Sequence, residues 1–170
     1  ILQEGKNEIE FRYSLNVGLL ITGKGLSKDI YYTRNELKNM ADDEQNIIRN
    51  YSIMKRGGIP AILMGKGFDL ISVIERAGIV GNGTLRIVGK AVDGWAGGDL
   101  SYDPATQSFN MDCYYYPNIF TGNTQGAELI MPMLAFYNVE DLENVPEIPA
   151  TKDGWGEVMN FPNPMIMYGQ

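Results

Sequence analysis

Histidine is absent from this sequence, and cysteine occurs once, at Cys113. A Ser-His-Asp triad or a Cys-His pair therefore cannot be assembled within the chain. An internal disulfide is excluded too, as are zinc sites built from histidine and cysteine. These absences remove much of the usual hydrolase chemistry, and the residue pattern predicts no catalytic residue and no metal ligand.

Positive charge is also scarce. Fourteen Lys and Arg residues stand against 21 Asp and Glu, which gives a net charge of −7. Phosphate-backbone binding needs clustered basic side chains, and the densest basic piece here is Lys55-Arg56, so we predict no nucleic-acid partner. No run of about 18 apolar residues exists, and we predict no membrane insertion.

Hydrophobic residues make up 44% of the 170 residues, which is enough for a buried core. The length fits a single domain over residues 1–170. Within it, the charged opening stretch at 1–14 is expected to be an N-terminal arm or an edge strand. Residues 143–170 are expected to form an irregular tail that wraps the domain.

Two short helices are predicted. Thr33 and Glu36 have the spacing of a capping box, which predicts a helix from Thr33 to about Met40. Apolar residues at helical spacing predict a second helix from Phe68 to Ala77, with Gly78 placed where a helix would stop. The strand candidates are Leu15–Thr22, Ile47–Met54, Thr84–Val92, Ser108–Tyr116, Glu128–Tyr137 and Met165–Tyr168. The pattern predicts an α+β fold that is mainly β, with mixed sheets and two short helices.

Cys113 precedes a run of three tyrosines in one predicted strand. A lone cysteine in a strand is expected to pack as a small buried hydrophobe. Because side chains alternate along a strand, Tyr114 and Tyr116 should share one face and Tyr115 the other. Two interpretations of the run stay open, a stacking surface for a ring or a sugar and ordinary amphipathic residues of a half-buried sheet.

The order of these pieces resembles the molybdopterin-binding oxidoreductase domain of the sulfite oxidase family. The residues that carry the resemblance are Leu19-Leu20-Ile21-Thr22-Gly23, Tyr32-Thr33-Arg34-Asn35-Glu36-Leu37, Gly58-Ile59-Pro60, Gly67-Phe68-Asp69-Leu70, Glu75-Arg76-Ala77-Gly78-Ile79, Val92-Asp93-Gly94-Trp95 and the closing Pro164 to Gln170. Together they cover most of the chain from Leu15 onward. The resemblance implies a sulfite-oxidase-like fold and a molybdopterin cofactor.

The resemblance also implies a place for the site. The family binds molybdenum through a cysteine thiolate that follows the first helix, and Ser52 stands near that position here. The family's pocket implies that four residues of this chain surround one cleft: Tyr51, Ser52, Asp93 and Trp95. The histidine and arginine that hold the cofactor's phosphate in many members are absent from the tail.

Two functions follow from this pattern. The first is a divergent, cofactor-free member of the superfamily that acts as a binding or interaction module outside the cytoplasm or at the cell surface. The second is a molybdopterin-dependent oxidoreductase with an unusual metal ligand such as Ser52. The sequence does not identify a substrate, a small-molecule or protein partner, or an oligomeric state.

Overall fold

The strands and helices follow the alternation of buried and exposed side chains along the chain. The computed structural model describes residues 8–14, 18–43, 46–81, 83–90, 96–110, 113–157 and 165–167. The strands are β1 (Glu8–Ser14), β2 (Gly18–Thr22), β3 (Ile30–Thr33), β4 (Ile47–Lys55), β5 (Ile59–Asp69), β6 (Leu85–Lys90), β7 (Ala96–Asp103), β8 (Ser108–Phe109), β9 (Cys113–Tyr115), β10 (Glu128–Ile130), β11 (Met133–Asp141), β12 (Gly156–Glu157) and β13 (Met165–Met167). The helices are α1 (Arg34–Ala41) and α2 (Leu70–Ala77), with 3₁₀ turns at Ile119–Thr121 and Lys152–Gly154.

Residue contacts divide the chain into two compact units. The first takes its described residues from Ile1–Asp43 and Ile71–Met111, and the second from Glu44–Leu70 and Asp112–Gln170. The chain therefore enters each unit twice. The single domain predicted over residues 1–170 stays a prediction.

The first unit holds a six-stranded sheet in the order β3-β2-β1-β6-β7-β8. Strand β1 pairs antiparallel with β2 and parallel with β6, so this sheet is mixed. Residues 8–14 are thus an interior strand, and the expectation of an arm or edge strand is wrong for them. The reason is alternation: Ile9, Phe11 and Tyr13 are buried, and an interior strand lets them pack on one face.

Both predicted helices are present. Thr33 caps α1 as expected, because its hydroxyl accepts the Glu36 N–H while the Glu36 carboxylate accepts the Thr33 N–H. Helix α2 begins at Leu70, two residues after the predicted Phe68. Phe68 and Asp69 still belong to β5, where they pair with Leu134 and Met133 of β11.

Gly78 ends α2 as predicted. Its φ of +74° suits glycine, and a Cβ there would lie 2.3 Å from the Ser27 hydroxyl oxygen. The Gly78 carbonyl accepts the Ser27 N–H at 2.8 Å, and the Ser27 hydroxyl donates to the Ala77 carbonyl at 2.8 Å. Glycine at position 78 therefore leaves room for Ser27 to form hydrogen bonds with the last carbonyl groups of the helix.

The second unit holds an antiparallel sheet in the order β12-β11-β5-β4, with β13 also on β11, and a separate two-stranded sheet of β9 and β10. Two predicted strands are each divided in two. Ser108–Tyr116 becomes β8 and β9, which lie in different sheets. Glu128–Tyr137 is interrupted after β10 at Met131-Pro132, because proline has no N–H to give to a ladder.

The expected tail contributes to this sheet. Strands β12 and β13 both pair with β11, and β13 confirms the strand predicted from Met165. Trp155 packs beside the sheet, since the Lys66 ammonium lies 6.0 Å from its ring centroid and 5.9 Å from that of Tyr137. The fold is mainly β with two helices and mixed sheets, as the pattern predicted.

The described ranges contain only short helices. Both α-helices have eight residues, so neither can span a bilayer.

Candidate functional site

Tyr51 and Ser52 lie in the middle of β4, which is the last strand of its sheet. Each of the two residues is only 1% exposed. As neighbours in a strand they project to opposite faces. Neither residue therefore presents its side chain to solvent, and the two cannot line one wall of a cleft.

The Tyr51 side chain is part of the core. Its ring packs with Met133 and Ala135, and its hydroxyl donates to the Met131 carbonyl at 2.7 Å. A buried phenol needs such a partner, and the backbone provides it here. The hydroxyl thus binds the backbone of Met131, which lies between β10 and β11.

The Ser52 hydroxyl is engaged with the backbone of Tyr116. Its oxygen accepts the Tyr116 N–H at 2.7 Å and lies 3.4 Å from the Tyr116 carbonyl oxygen. A metal-bound alkoxide would have to lose its proton and give up this contact, at a position closed to solvent. Ser52 in this arrangement does not fit the ligand position that the family resemblance implies.

The other two predicted site residues, Asp93 and Trp95, lie outside the described residues. Of the four residues predicted to surround one cleft, the structure therefore describes only Tyr51 and Ser52, and the cleft stays a prediction. Within the described ranges, no three His, Cys, Asp or Glu side chains form a group that could hold a metal ion.

Tyr114 and Tyr116 form an aromatic surface next to Ser52. Their ring centroids lie 5.7 Å apart with an interplanar angle of 36°, which confirms that the two residues share a face. Leu129 pairs directly with Tyr114 across the β9–β10 ladder and is 59% exposed. Since directly paired residues point to the same side, these three side chains make one half-exposed apolar patch, here called the tyrosine surface.

Tyr115 points to the opposite side of β9, as predicted. Burial of its hydroxyl raises the pKa of Tyr115, and the carboxylate of Glu128, its partner across the ladder, raises it further. A hydrogen bond from the Asn50 side chain lowers it in part. The phenol is therefore neutral at physiological pH, and Asn50 ties it to β4.

Arg49 holds the far end of the β9–β10 sheet. Its Nη1 donates to Asp69 Oδ1 at 2.9 Å, to the Met131 carbonyl at 3.0 Å and to the Pro132 carbonyl at 3.1 Å. The Leu70 N–H also donates to Pro132, at 3.1 Å. Three groups thus hold the two residues that connect β10 to β11: the Arg49 guanidinium, the Tyr51 hydroxyl and the Leu70 N–H. Asp69 of β5 in turn holds the guanidinium.

Sequence reasoning did not find the supports of this surface. Arg49 and Tyr51 share one face of β4, while Asn50 and Ser52 share the other. The available signal was that residues 49–52 all carry polar atoms although they lie in the middle of a strand. That run does not reveal the partners: Asp69 lies 20 residues further along the chain, and Tyr116 and Pro132 lie more than 60 residues from Ser52 and Arg49.

Comparisons of the chain with protein-family models, with curated proteins and with solved structures found no match.

Proposed function

We propose that this chain is a binding module, and that its tyrosine surface stacks against the ring of a ligand. The observation that carries the proposal is the pair of adjacent, half-exposed rings of Tyr114 and Tyr116. Aromatic rings bury much apolar area, and tyrosine loses few rotamers when it does so. The apolar face of a pyranose ring is the ligand chemistry that fits such a patch.

The surface is held in place before any ligand arrives. Ser52 anchors the backbone of Tyr116, Asn50 contacts Tyr115, and Arg49 fixes the end of β10. A ligand would therefore not need to order the strand that it contacts, which lowers the entropic cost of binding. This support favours a binding role over a merely solvent-facing tyrosine run.

We also propose a family relationship and a cellular location for this chain. The ordered motifs from Leu15 to Gln170 support a divergent, cofactor-free relative of the molybdopterin-binding domain of the sulfite oxidase family. The absence of a cysteine near position 52 and the backbone contacts of Ser52 also support it. The acidic, tyrosine-rich composition supports a module that works outside the cytoplasm or at the cell surface.

A glycan array probed with the purified chain tests the binding role. We expect binding to a group of glycans that share a pyranose face, and loss of that binding in Tyr114→Ala/Tyr116→Ala. An array without any reproducible ligand would contradict a carbohydrate-binding role. The oxidoreductase alternative rests on the resemblance alone, and near-stoichiometric molybdenum or tungsten in the purified protein would support it instead.

A further inference from the structure

The turn of the β4–β5 hairpin stands clear of the other described residues. A Cβ placed on Gly57 or Gly58 would meet no atom within 4 Å. Met54 and Ile59 flank the turn and are 49% and 50% exposed. Met54 pairs with Pro60 whereas Ile59 pairs with Lys55, so the two apolar side chains project from opposite faces of the hairpin. The sheet of the same chain cannot cover both.

A second exposed apolar segment begins where β11 ends. Its exposed aliphatic side chains recur at every third position: Leu142, Val145 and Ile148. The Asp141 carboxylate accepts the N–H groups of Glu143 at 2.8 Å and Asn144 at 3.0 Å, which fixes the turn into this segment. These two bonds fix the first turn of a loop whose apolar side chains are exposed.

The hairpin turn and the loop adjoin at one end of the sheet. Asp141 pairs with Ile62, only three positions from Ile59, and Lys55 forms an ion pair with Glu140. The hairpin turn and the start of the loop therefore lie at the same end of the sheet, and residues 54–59 and 142–148 are here called the end surface. An exposed apolar surface of this kind, rimmed by polar residues, marks an interaction site more often than a single exposed side chain does.

Opposite charges lie on the two halves of the end surface. Arg56 is exposed at the hairpin turn, whereas Glu143 and Glu147 are exposed in the loop. Within the described part of the chain these three side chains form no ion pair. The turn of one molecule thus complements the loop of another in both charge and polarity.

We propose that the end surface is the interface of a twofold homodimer, in which the hairpin turn of each copy packs on the loop of its partner. Since the turn and the start of the loop lie at the same end of the sheet, a twofold axis makes the two contacts reciprocal, and the assembly closes at two copies. A lipid surface fits less well, because the chain carries a net charge of −7 and acidic side chains lie beside the apolar ones. The end surface shares no residue with the tyrosine surface.

Sedimentation velocity on the full chain, from about 1 µM to about 200 µM, tests the proposal. We expect a reversible monomer–dimer equilibrium. Arg56→Glu should weaken it at least about tenfold, and so should Glu143→Lys/Glu147→Lys, because each variant sets like charges against each other. An equimolar mixture of the two variants should regain dimer, since each offers the charge that the other has reversed.

The matched control is Lys38→Glu, which makes the same charge change at an exposed position on α1 and should leave the equilibrium unchanged. A chain that stays monomeric over the whole concentration range overturns the proposal. Dimers that persist equally in both charge variants overturn it as well. Cosedimentation of the monomer with phosphatidylcholine vesicles, lost in Met54→Ser/Ile59→Ser, would assign the surface to lipid and also overturn it.

Discussion

The hydroxyl oxygen of Ser52 accepts the backbone N–H of Tyr116 at 2.7 Å, across a sequence separation of 64 residues. This bond joins β4, the last strand of the antiparallel sheet in the second unit, to the residue that follows β9 in the tyrosine surface. It also gives Ser52 a structural role at the position where the family resemblance implies a metal ligand.

Replacement of Ser52 by alanine should destabilise the protein. The Tyr116 N–H would lose its acceptor in a part-buried setting, and an unsatisfied group of that kind costs about 1–3 kcal/mol. Urea unfolding followed by tyrosine and tryptophan fluorescence measures the change. Thr106→Ala is the control, because its hydroxyl bond to Ser108 is exposed and its loss should change stability by less than about 0.5 kcal/mol. Equal effects of the two substitutions would show that Ser52 anchors nothing.

Arg49→Lys should destabilise the protein although the charge is kept. Arg49 contacts Asp69 and two carbonyl oxygens through a single nitrogen, Nη1. A lysine side chain ends one bond nearer to the backbone, so its ammonium does not reach the position of Nη1. We expect a loss of about 1–3 kcal/mol in the free energy of unfolding. The matched control is Arg12→Lys, whose exposed ion pair with Glu10 should contribute less than about 1 kcal/mol. Wild-type stability in Arg49→Lys would mean that the link at Met131-Pro132 is held by other groups.

The raised pKa of Tyr115 predicts a loss of stability in alkaline solution. Its folded pKa lies above the unfolded value, so the folded state keeps the phenol proton longer as pH rises. The contribution of Tyr115 is complete below the unfolded pKa of about 10 and is lost as pH rises through the folded pKa. The difference between wild type and Tyr115→Phe in ultraviolet phenolate titration isolates this group.

Glu128→Gln offers a check on the cause of that shift. The substitution removes the carboxylate that opposes ionisation, so the pKa of Tyr115 should fall. It should stay above the ordinary value, because burial is the larger cause. A pKa that is unchanged in Glu128→Gln would exclude the charge interaction across the ladder.

Local features were predictable from the sequence, and non-local ones were not. The capping box of Thr33 and Glu36 involves residues three apart, and Gly78 ends α2 through its own backbone conformation. The start of α2 was misjudged because pairing with β11 keeps Phe68 and Asp69 in a strand. That pairing joins segments more than 60 residues apart, so a local sequence pattern does not predict it.

The candidate site shows the same division. Alternation along the predicted strand Ser108–Tyr116 correctly placed Tyr114 and Tyr116 together and Tyr115 apart. The family resemblance was the basis for grouping Tyr51 and Ser52 in one cleft with Asp93 and Trp95. Alternation along β4 argues against placing Tyr51 and Ser52 together, because neighbours in a strand project to opposite faces. The role of Ser52 could not be read from its neighbours in sequence, because its partner is a backbone group on a distant strand.

Affinity electrophoresis in native gels that contain xylan, hydroxyethylcellulose or barley β-glucan tests the central claim most directly. We predict that at least one of these polysaccharides retards the wild-type chain. In Tyr114→Ala/Tyr116→Ala, the difference in mobility between gels with and without that polysaccharide should be at least about tenfold smaller than in the wild type. Tyr31→Ala, which removes an exposed tyrosine ring from the first unit, should be retarded like the wild type. Retardation that is equal in the double variant and the wild type, or a wild-type chain that none of the three polysaccharides retards, would contradict the proposed function.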